Sequence, residues 1–168
     1  MAKSDVYPAV NLVKINQKEF RAYAKWSAKN YAENLVDSGT EKCRLKALKD
    51  AKDEFKDVFP DGADSKDNYL YIVTNENNEK IGVIGYQKSP FEENAAFIIE
   101  NVIKEEYRGK GYGKSAFVKL QEDAREKGFP KMVLNAFKHS PISYGMYQRN
   151  GFRVIEDYDG SVIMEKDL

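Results

Sequence analysis

The chain has 168 residues, is 42% hydrophobic and 32% charged, and balances 27 Lys and Arg against 27 Asp and Glu. That composition suits one globular domain and runs against a disordered chain or a general nucleic-acid binder, which carries a net basic footprint. A single cysteine (Cys43) and a single histidine (His139) leave no internal disulfide and too few ligands for a Cys/His metal site. The longest apolar run, Ala95-Ala96-Phe97-Ile98-Ile99, is far short of the roughly 20 residues of a membrane span. Met1-Ala2-Lys3-Ser4-Asp5 leads into no apolar signal core. A metal-free cytoplasmic domain over residues 1–168 is therefore expected, with its chemistry carried by backbone, carboxylates, Tyr, Ser or the one His.

No repeat of solenoid length is present. Residues 10–15 alternate and read as a short strand. Asn16 and Glu19 have the spacing of a capping box. Phe20, Ala24, Tyr31 and Leu35 then predict one helical face, closed by Ser38-Gly39. A second helix is expected from Thr40, with Leu45, Leu48, Ala51, Phe55 and Phe59 as its stripe and Pro60-Asp61-Gly62 as its stop. Cys43 falls on that helix as a small apolar residue. The two helices, rich in Tyr23, Trp26 and Tyr31, either cover a sheet or wall a substrate pocket.

Beyond residue 68 strands and helices alternate. Strands are expected at 69–74, 80–87 and 96–103, the first two forming a hairpin across the polar run 75–79. Tyr112, Ala116, Phe117, Leu120 and Ala124 give a helix over 112–127, ended by Gly128 and Pro130. A strand follows at 131–137. Ser140-Pro141 then starts a short helix that ends at Asn150-Gly151. Strands at 152–158 and 161–166 flank Asp159-Gly160 as a closing hairpin. The whole reads as an α/β (α+β) domain on a single sheet of mixed strand direction.

The informative stretch is Glu106-Tyr107-Arg108-Gly109-Lys110-Gly111-Tyr112-Gly113-Lys114, between an expected strand and an expected helix. Three glycines in five residues allow positive φ and close backbone approach. The amides that open the next helix lack intrahelical partners and carry partial positive charge. Arg108, Lys110 and Lys114 add cations, so the segment suits a pyrophosphate. A Walker loop is matched only at Gly113-Lys114-Ser115, because Arg108 stands where its first glycine belongs. The dinucleotide pattern Gly-x-Gly-x-x-Gly fails at Lys114. The pattern Arg/Gln-x-x-Gly-x-Gly/Ala is met by Arg108, Gly111 and Gly113.

With that hexapeptide, the entry Ile103-Lys104-Glu105-Glu106-Tyr107 and the later Tyr147-Gln148-Arg149-Asn150-Gly151-Phe152, the chain resembles the GNAT superfamily of acetyl-CoA-dependent N-acetyltransferases. The likeness covers the whole chain in layout and about residues 96–152 in motif. It implies the GNAT fold, a twisted, mostly antiparallel sheet with helices on both faces, splayed between the strands of Glu100 and Asn135 to admit acetyl-CoA. It also implies that Asn101, Val102 and Ile103 pair through their backbone with the pantetheine arm, and that Arg108, Gly109, Lys110, Gly111, Tyr112, Gly113 and Lys114 hold the pyrophosphate. Ser140 and Ser143 fall where the family contacts the cofactor arm, and Tyr147 where a tyrosine protonates the leaving thiolate.

Three residues depart from the family pattern. Ser140 replaces its usual asparagine, Val102 stands where some members carry a carboxylate, and Asn135 where others carry a glutamate. Glu100 is the nearest acid on Val102's face and is the candidate base, directly or through water, with His139 as another proton acceptor. An alkylamine of pKa ~10.4 is only about one part in a thousand neutral at pH 7.4, so a base or a desolvating pocket is required. The expected reaction is direct attack of a primary amine, on a small molecule or peptide, upon acetyl-CoA in a ternary complex. No nucleic-acid or membrane partner is expected, and a homodimer is compatible with the sequence. A non-catalytic CoA-binding regulatory domain and a nucleotide phosphate binder using the Gly-Lys-Ser run stand as alternatives.

Overall fold

The computed structural model describes residues 6–168; the expectation about a leader at residues 1–5 lies outside them. Seven strands and four α-helices follow one another as β1 (Asn11–Lys14), α1 (Gln17–Asp37), α2 (Arg44–Val58), β2 (Asn68–Thr74), β3 (Lys80–Lys88), β4 (Ala95–Ile103), α3 (Tyr112–Glu126), β5 (Lys131–Phe137), α4 (Pro141–Arg149), β6 (Arg153–Asp157) and β7 (Ser161–Asp167). The strands order as β1-β2-β3-β4-β5-β7-β6 in a mixed, mostly antiparallel sheet. The chain divides into two compact units, one of residues 6–15, 69–132 and 168, the other of residues 16–68 and 133–167.

In the first unit β1 pairs antiparallel with β2, and β3 with β4. Opposite Gly85 and Tyr86 the register passes from Glu100 to Ile98, so Ile99 is an extra residue that bulges β4. The expected apolar face of α3 is borne out: Tyr112, Ala116, Phe117, Leu120 and Ala124 are all buried, joined by Gln121. A polar clasp ties α3 to β2 and β3. The Asp123 carboxylate accepts from the hydroxyls of Tyr71 (2.9 Å) and Tyr86 (2.7 Å) and pairs with Lys127 one turn on. Tyr69 stacks on Tyr86 at 4.9 Å, and Phe129 closes edge-on against both rings. Burial, and then the Asp123 carboxylate, push the Tyr71 hydroxyl up to about 12 and the fully buried Tyr86 hydroxyl higher still.

In the second unit Asn16 and Glu19 form the expected capping box on α1, and Gly39 takes the left-handed turn after it. The buried face is offset from the expected one. It runs through Phe20, Tyr23, Ser27, Ala28 and Ala32, while Ala24, Tyr31 and Leu35 flank it half-buried. The reason is the seam with α2, where Ala32, Ala47 and Ala51 bring the two helices close. The second helix starts at Arg44, not Thr40, because Glu41 turns back to accept the amides of Lys42 and Cys43. Two expectations about α2 fail as a result. Leu45 is 81% exposed rather than part of the stripe, and Cys43 is an exposed N-cap residue rather than an apolar one. Phe20, Tyr23, Phe55 and Phe59 cluster with ring centroids 4.8–6.2 Å apart. The closing hairpin of β6 and β7 forms as expected.

Replacing Asp123 with Ala leaves the Tyr86 hydroxyl buried without its acceptor. It should lower the unfolding free energy by about 1–3 kcal/mol in a denaturant melt. The same tyrosines set an alkaline limit. An unfolded tyrosine ionises near 10, whereas folded Tyr71 keeps its proton to about 12. Only the unfolded chain therefore releases that proton across this window, so stability complete below pH 10 should fall as pH rises to about 12. Melts across pH 9–12 test this.

Candidate cofactor and acyl-transfer site

The candidate cofactor loop lies wholly in the first unit. Beyond β4 a 3-10 turn (Glu105–Tyr107) brings the chain round to Arg108, and α3 opens at Tyr112. Gly109 (φ +73°) and Gly111 (φ +90°) are left-handed, a conformation other L-residues adopt only with strain. Gly111 is the N-cap of α3 and so brings no side chain to cap the first turn. Among the described residues no acceptor outside the helix meets the amides of residues 109–114. The result is a run of amides at the positive end of a helix, which suits an anion.

Each of the three cations has an oxygen acceptor beside it. Arg108 Nε donates to the Ile103 carbonyl at 2.7 Å, tying the end of β4 to the turn. Lys110 Nζ donates to the Glu106 carbonyl at 3.0 Å and lies 5.7 Å from the Tyr107 ring centroid. Lys114 Nζ donates to the Tyr7 hydroxyl and sits 4.1 Å from the centroid of that ring. Tyr112 contributes its amide to the loop while its hydroxyl donates to both Glu76 carboxylate oxygens at 3.0 and 3.1 Å.

Two features of this loop have no local signal in the sequence. Tyr7 and Pro8 pack over Gly111, where an added Cβ would stand 3.0 Å from Pro8 Cδ and 3.1 Å from Tyr7 Cδ1. Ser115 Oγ is buried at the start of α3 with no hydrogen-bond partner among the described residues. Tyr7 carries no motif and lies about a hundred positions from the loop, so no local pattern announces it. Ser115 enters the sequence patterns only as the end of an imperfect Walker match. The amides of residues 109–114 and the open space at Gly109, where a Cβ would meet nothing within 4 Å, together fit a diphosphate.

On β4, Asn101, Val102 and Ile103 are half-buried and face Ile84, Val83 and Gly82 of β3. The Asn101 amide donates to the Glu100 carboxylate at 3.1 Å, and the Ile103 carbonyl is taken by Arg108. Of the three residues expected to pair with an extended ligand, two thus have a backbone group engaged by a neighbouring side chain. Glu100 keeps its carboxylate along its own strand.

The remaining candidates belong to the second unit. Ser140, Ser143 and Tyr147 repeat at spacings of three and four along α4 and share a face. Ser140 is the N-cap and Pro141 opens the helix, as expected, but the Ser140 hydroxyl donates to Ser143 Oγ (3.2 Å) and makes no cap bond. Tyr147 is half-buried, 6.0 Å from the Phe152 ring, and its carbonyl accepts the Phe152 amide. His139 Nε2 bonds Asn34 Oδ1 at 3.0 Å, and its ring packs 5.4 Å from Phe137. Asn135 is exposed. A cavity of about 220 Å³ beside α4, lined by Lys138, Pro141, Tyr144, Asp157 and Val162, is below the roughly 300 Å³ that small-molecule sites start from.

A strand, a glycine turn, a helix and a later tyrosine-bearing helix follow one another in the order that the resemblance implied. Residues 28–152 match the acetyltransferase (GNAT) family, and the chain belongs to it. It is 31% identical to the uncharacterized N-acetyltransferase YdgE of Bacillus subtilis over 86% of this chain and 92% of that one. The crystal structure of YycN, also from Bacillus subtilis, superposes with a TM-score of 0.83 at 29% identity, covering 89% of this chain and 96% of that one. A spermidine N-acetyltransferase from Vibrio cholerae, solved with CoA and spermine, shares the fold at a TM-score of 0.67 and 15% identity, over 94% and 95% of the two chains.

The two glycines on either side of Tyr112 should respond oppositely to a methyl group. Gly111→Ala meets Pro8 and a positive φ and should cost about 1–3 kcal/mol. Gly113→Ala meets only Ile103 Cγ1 at 3.6 Å, within the helix, and should be neutral or stabilising by up to about 1 kcal/mol. Thermal melts of the two variants make the comparison.

Proposed function

We propose that the protein is an acetyl-CoA-dependent N-acetyltransferase whose acceptor is a primary amine on a small molecule or peptide. The whole chain serves this reaction as one domain, in the cytoplasm. The observation that carries the reading is the run of amides over residues 109–114, at left-handed Gly111, that meet no acceptor outside the helix among the described residues. Membership of an acetyltransferase family adds the reaction class. That a distant relative of the same fold was crystallised with CoA and a polyamine supports both the donor and the kind of acceptor.

Acetyl-CoA supplies an activated acyl group: the amine nitrogen bonds to its carbonyl carbon, the carbon–sulfur bond breaks, and the thiolate takes up a proton. The chain's residues are assigned around that exchange. Amides of residues 109–114 hold the diphosphate. Backbone groups of Asn101, Val102 and Ile103 pair with the pantetheine arm as a neighbouring strand would, the Glu100 carboxylate giving up the Asn101 amide. The bulge at Ile99 turns strand amides toward the developing negative charge on the carbonyl oxygen. Glu100, once released, accepts the proton lost by the amine, directly or through water. The Tyr147 hydroxyl gives a proton to the thiolate, a modest contribution because thiols have a pKa near 8.5. Ser140 and Ser143 line the path of the cofactor arm.

Incubation with acetyl-CoA and a panel of amines, following thiol release, tests the assignment. Turnover with at least one amine is the expected result. Calorimetry that finds CoA bound but no thiol released with any amine would move the protein to the non-catalytic alternative, and binding of ATP in place of CoA would refute the reading. Tyr147→Phe should lower kcat about tenfold or more at an unchanged KM for acetyl-CoA. Glu100→Gln should flatten the rise of kcat/KM toward alkaline pH; an unaltered profile removes Glu100 as the base.

A further inference from the structure

The segment that leads into β1 reaches the cofactor loop within the first unit. Val10 and Ile15 are almost fully buried, and β1 is paired along its length with β2, so the segment has a fixed anchor. Ahead of that anchor, Pro8 and Tyr7 cover the Cα of Gly111, the residue whose left-handed turn opens α3. The Tyr7 ring carries the Lys114 ammonium at 4.1 Å from its centroid, and the Tyr7 hydroxyl accepts from the same ammonium. Lys114 lies in the first turn of α3, and a helical side chain leans toward the helix N-terminus, here toward the amides of residues 109–114.

We propose that Tyr7 is a positioning residue for the cofactor's phosphate: it holds the exposed side chain of Lys114 beside the amides of residues 109–114. This rests on the cofactor reading above and adds to it a residue that lies outside the glycine loop and its helix. A lysine on an open surface samples many rotamers, and ordering such a side chain on binding costs about three- to tenfold in affinity. A ring face and a hydroxyl oxygen acting together order Lys114 beforehand while leaving its charge unneutralised. A carboxylate in the same place would cancel that charge. The cation–ring contact and the hydroxyl bond are separable by mutation.

The experiment is a double-mutant cycle on the full chain, read by calorimetry with CoA and with 3′-dephospho-CoA. Tyr7→Ala should weaken CoA binding about three- to tenfold, and Tyr7→Phe, which keeps the ring, by less. Lys114→Gln should weaken it at least as much as Tyr7→Ala, and should reduce its dependence on salt concentration. The double variant Tyr7→Ala/Lys114→Gln should bind no worse than Lys114→Gln alone. A loss kept with dephospho-CoA assigns the diphosphate, and a loss that disappears assigns the 3′-phosphate; either supports the proposal. It is overturned if Tyr7→Ala binds CoA as tightly as the wild type or more tightly, or if the losses multiply in the double variant. Tyr7→Phe retains the packing on Gly111, so it keeps the test valid should Tyr7→Ala unfold. A wild-type chain that takes no CoA fails at an earlier point, and there the cofactor reading itself falls.

Discussion

The turn at Gly111 has to reverse the chain between a strand and a helix without supplying a capping side chain. A left-handed residue there opens the helix without a capping side chain, and among the described residues the amides of residues 109–114 meet no acceptor outside the helix. A serine or aspartate N-cap would accept one of the first amides of the helix from within the protein. Glycine leaves them to a ligand, at the cost of a local destabilisation that the rest of the unit must carry. The cofactor assignment and the role given to Tyr7 both depend on this one backbone conformation.

That cost is met by packing on each side of the turn. Ahead of it, Arg108 binds back to the Ile103 carbonyl, so the strand end and the loop move as a piece. Behind it, α3 buries an unbroken face and is locked to β2 and β3 by the Asp123 carboxylate, which takes two tyrosine hydroxyls and a lysine. Over it lie Tyr7 and Pro8. Lys110 and Lys114 are held against ring faces and oxygen acceptors instead of ranging through solvent. An anion arriving at such a seat meets donors and charges already ordered, which is where binding free energy is otherwise lost.

The second unit follows a different logic. Its two helices meet through alanines, which allow close approach, and Phe20, Phe55 and Phe59 form one cluster. Trp26, beside Tyr23, remains 42% exposed. Tyr31 is pushed up to about 12 by burial and then by Glu54. Ser140, Ser143 and Tyr147 share one face of α4, where the serine hydroxyls satisfy each other.

Taken by itself, the sequence determined what local rules can reach. The capping box at Asn16 and Glu19, the buried stripe of α3, the glycine-rich turn and the closing hairpin depend on neighbours within a few positions, and each appears where its pattern placed it. The family was legible for the same reason, because its motif is a local constraint on φ and on helix capping. Tertiary structure decided the rest. The start of α2 moved because Glu41 competes for its first amides, and α1 turned its buried face toward a seam set by another helix. Asp123, an unremarked acid on a helix, became the anchor of two tyrosines only when β2 and β3 came beside it. Tyr7 met Lys114 across a separation of 107 residues. Such contacts arise from packing between distant segments, and no periodicity in the chain encodes them.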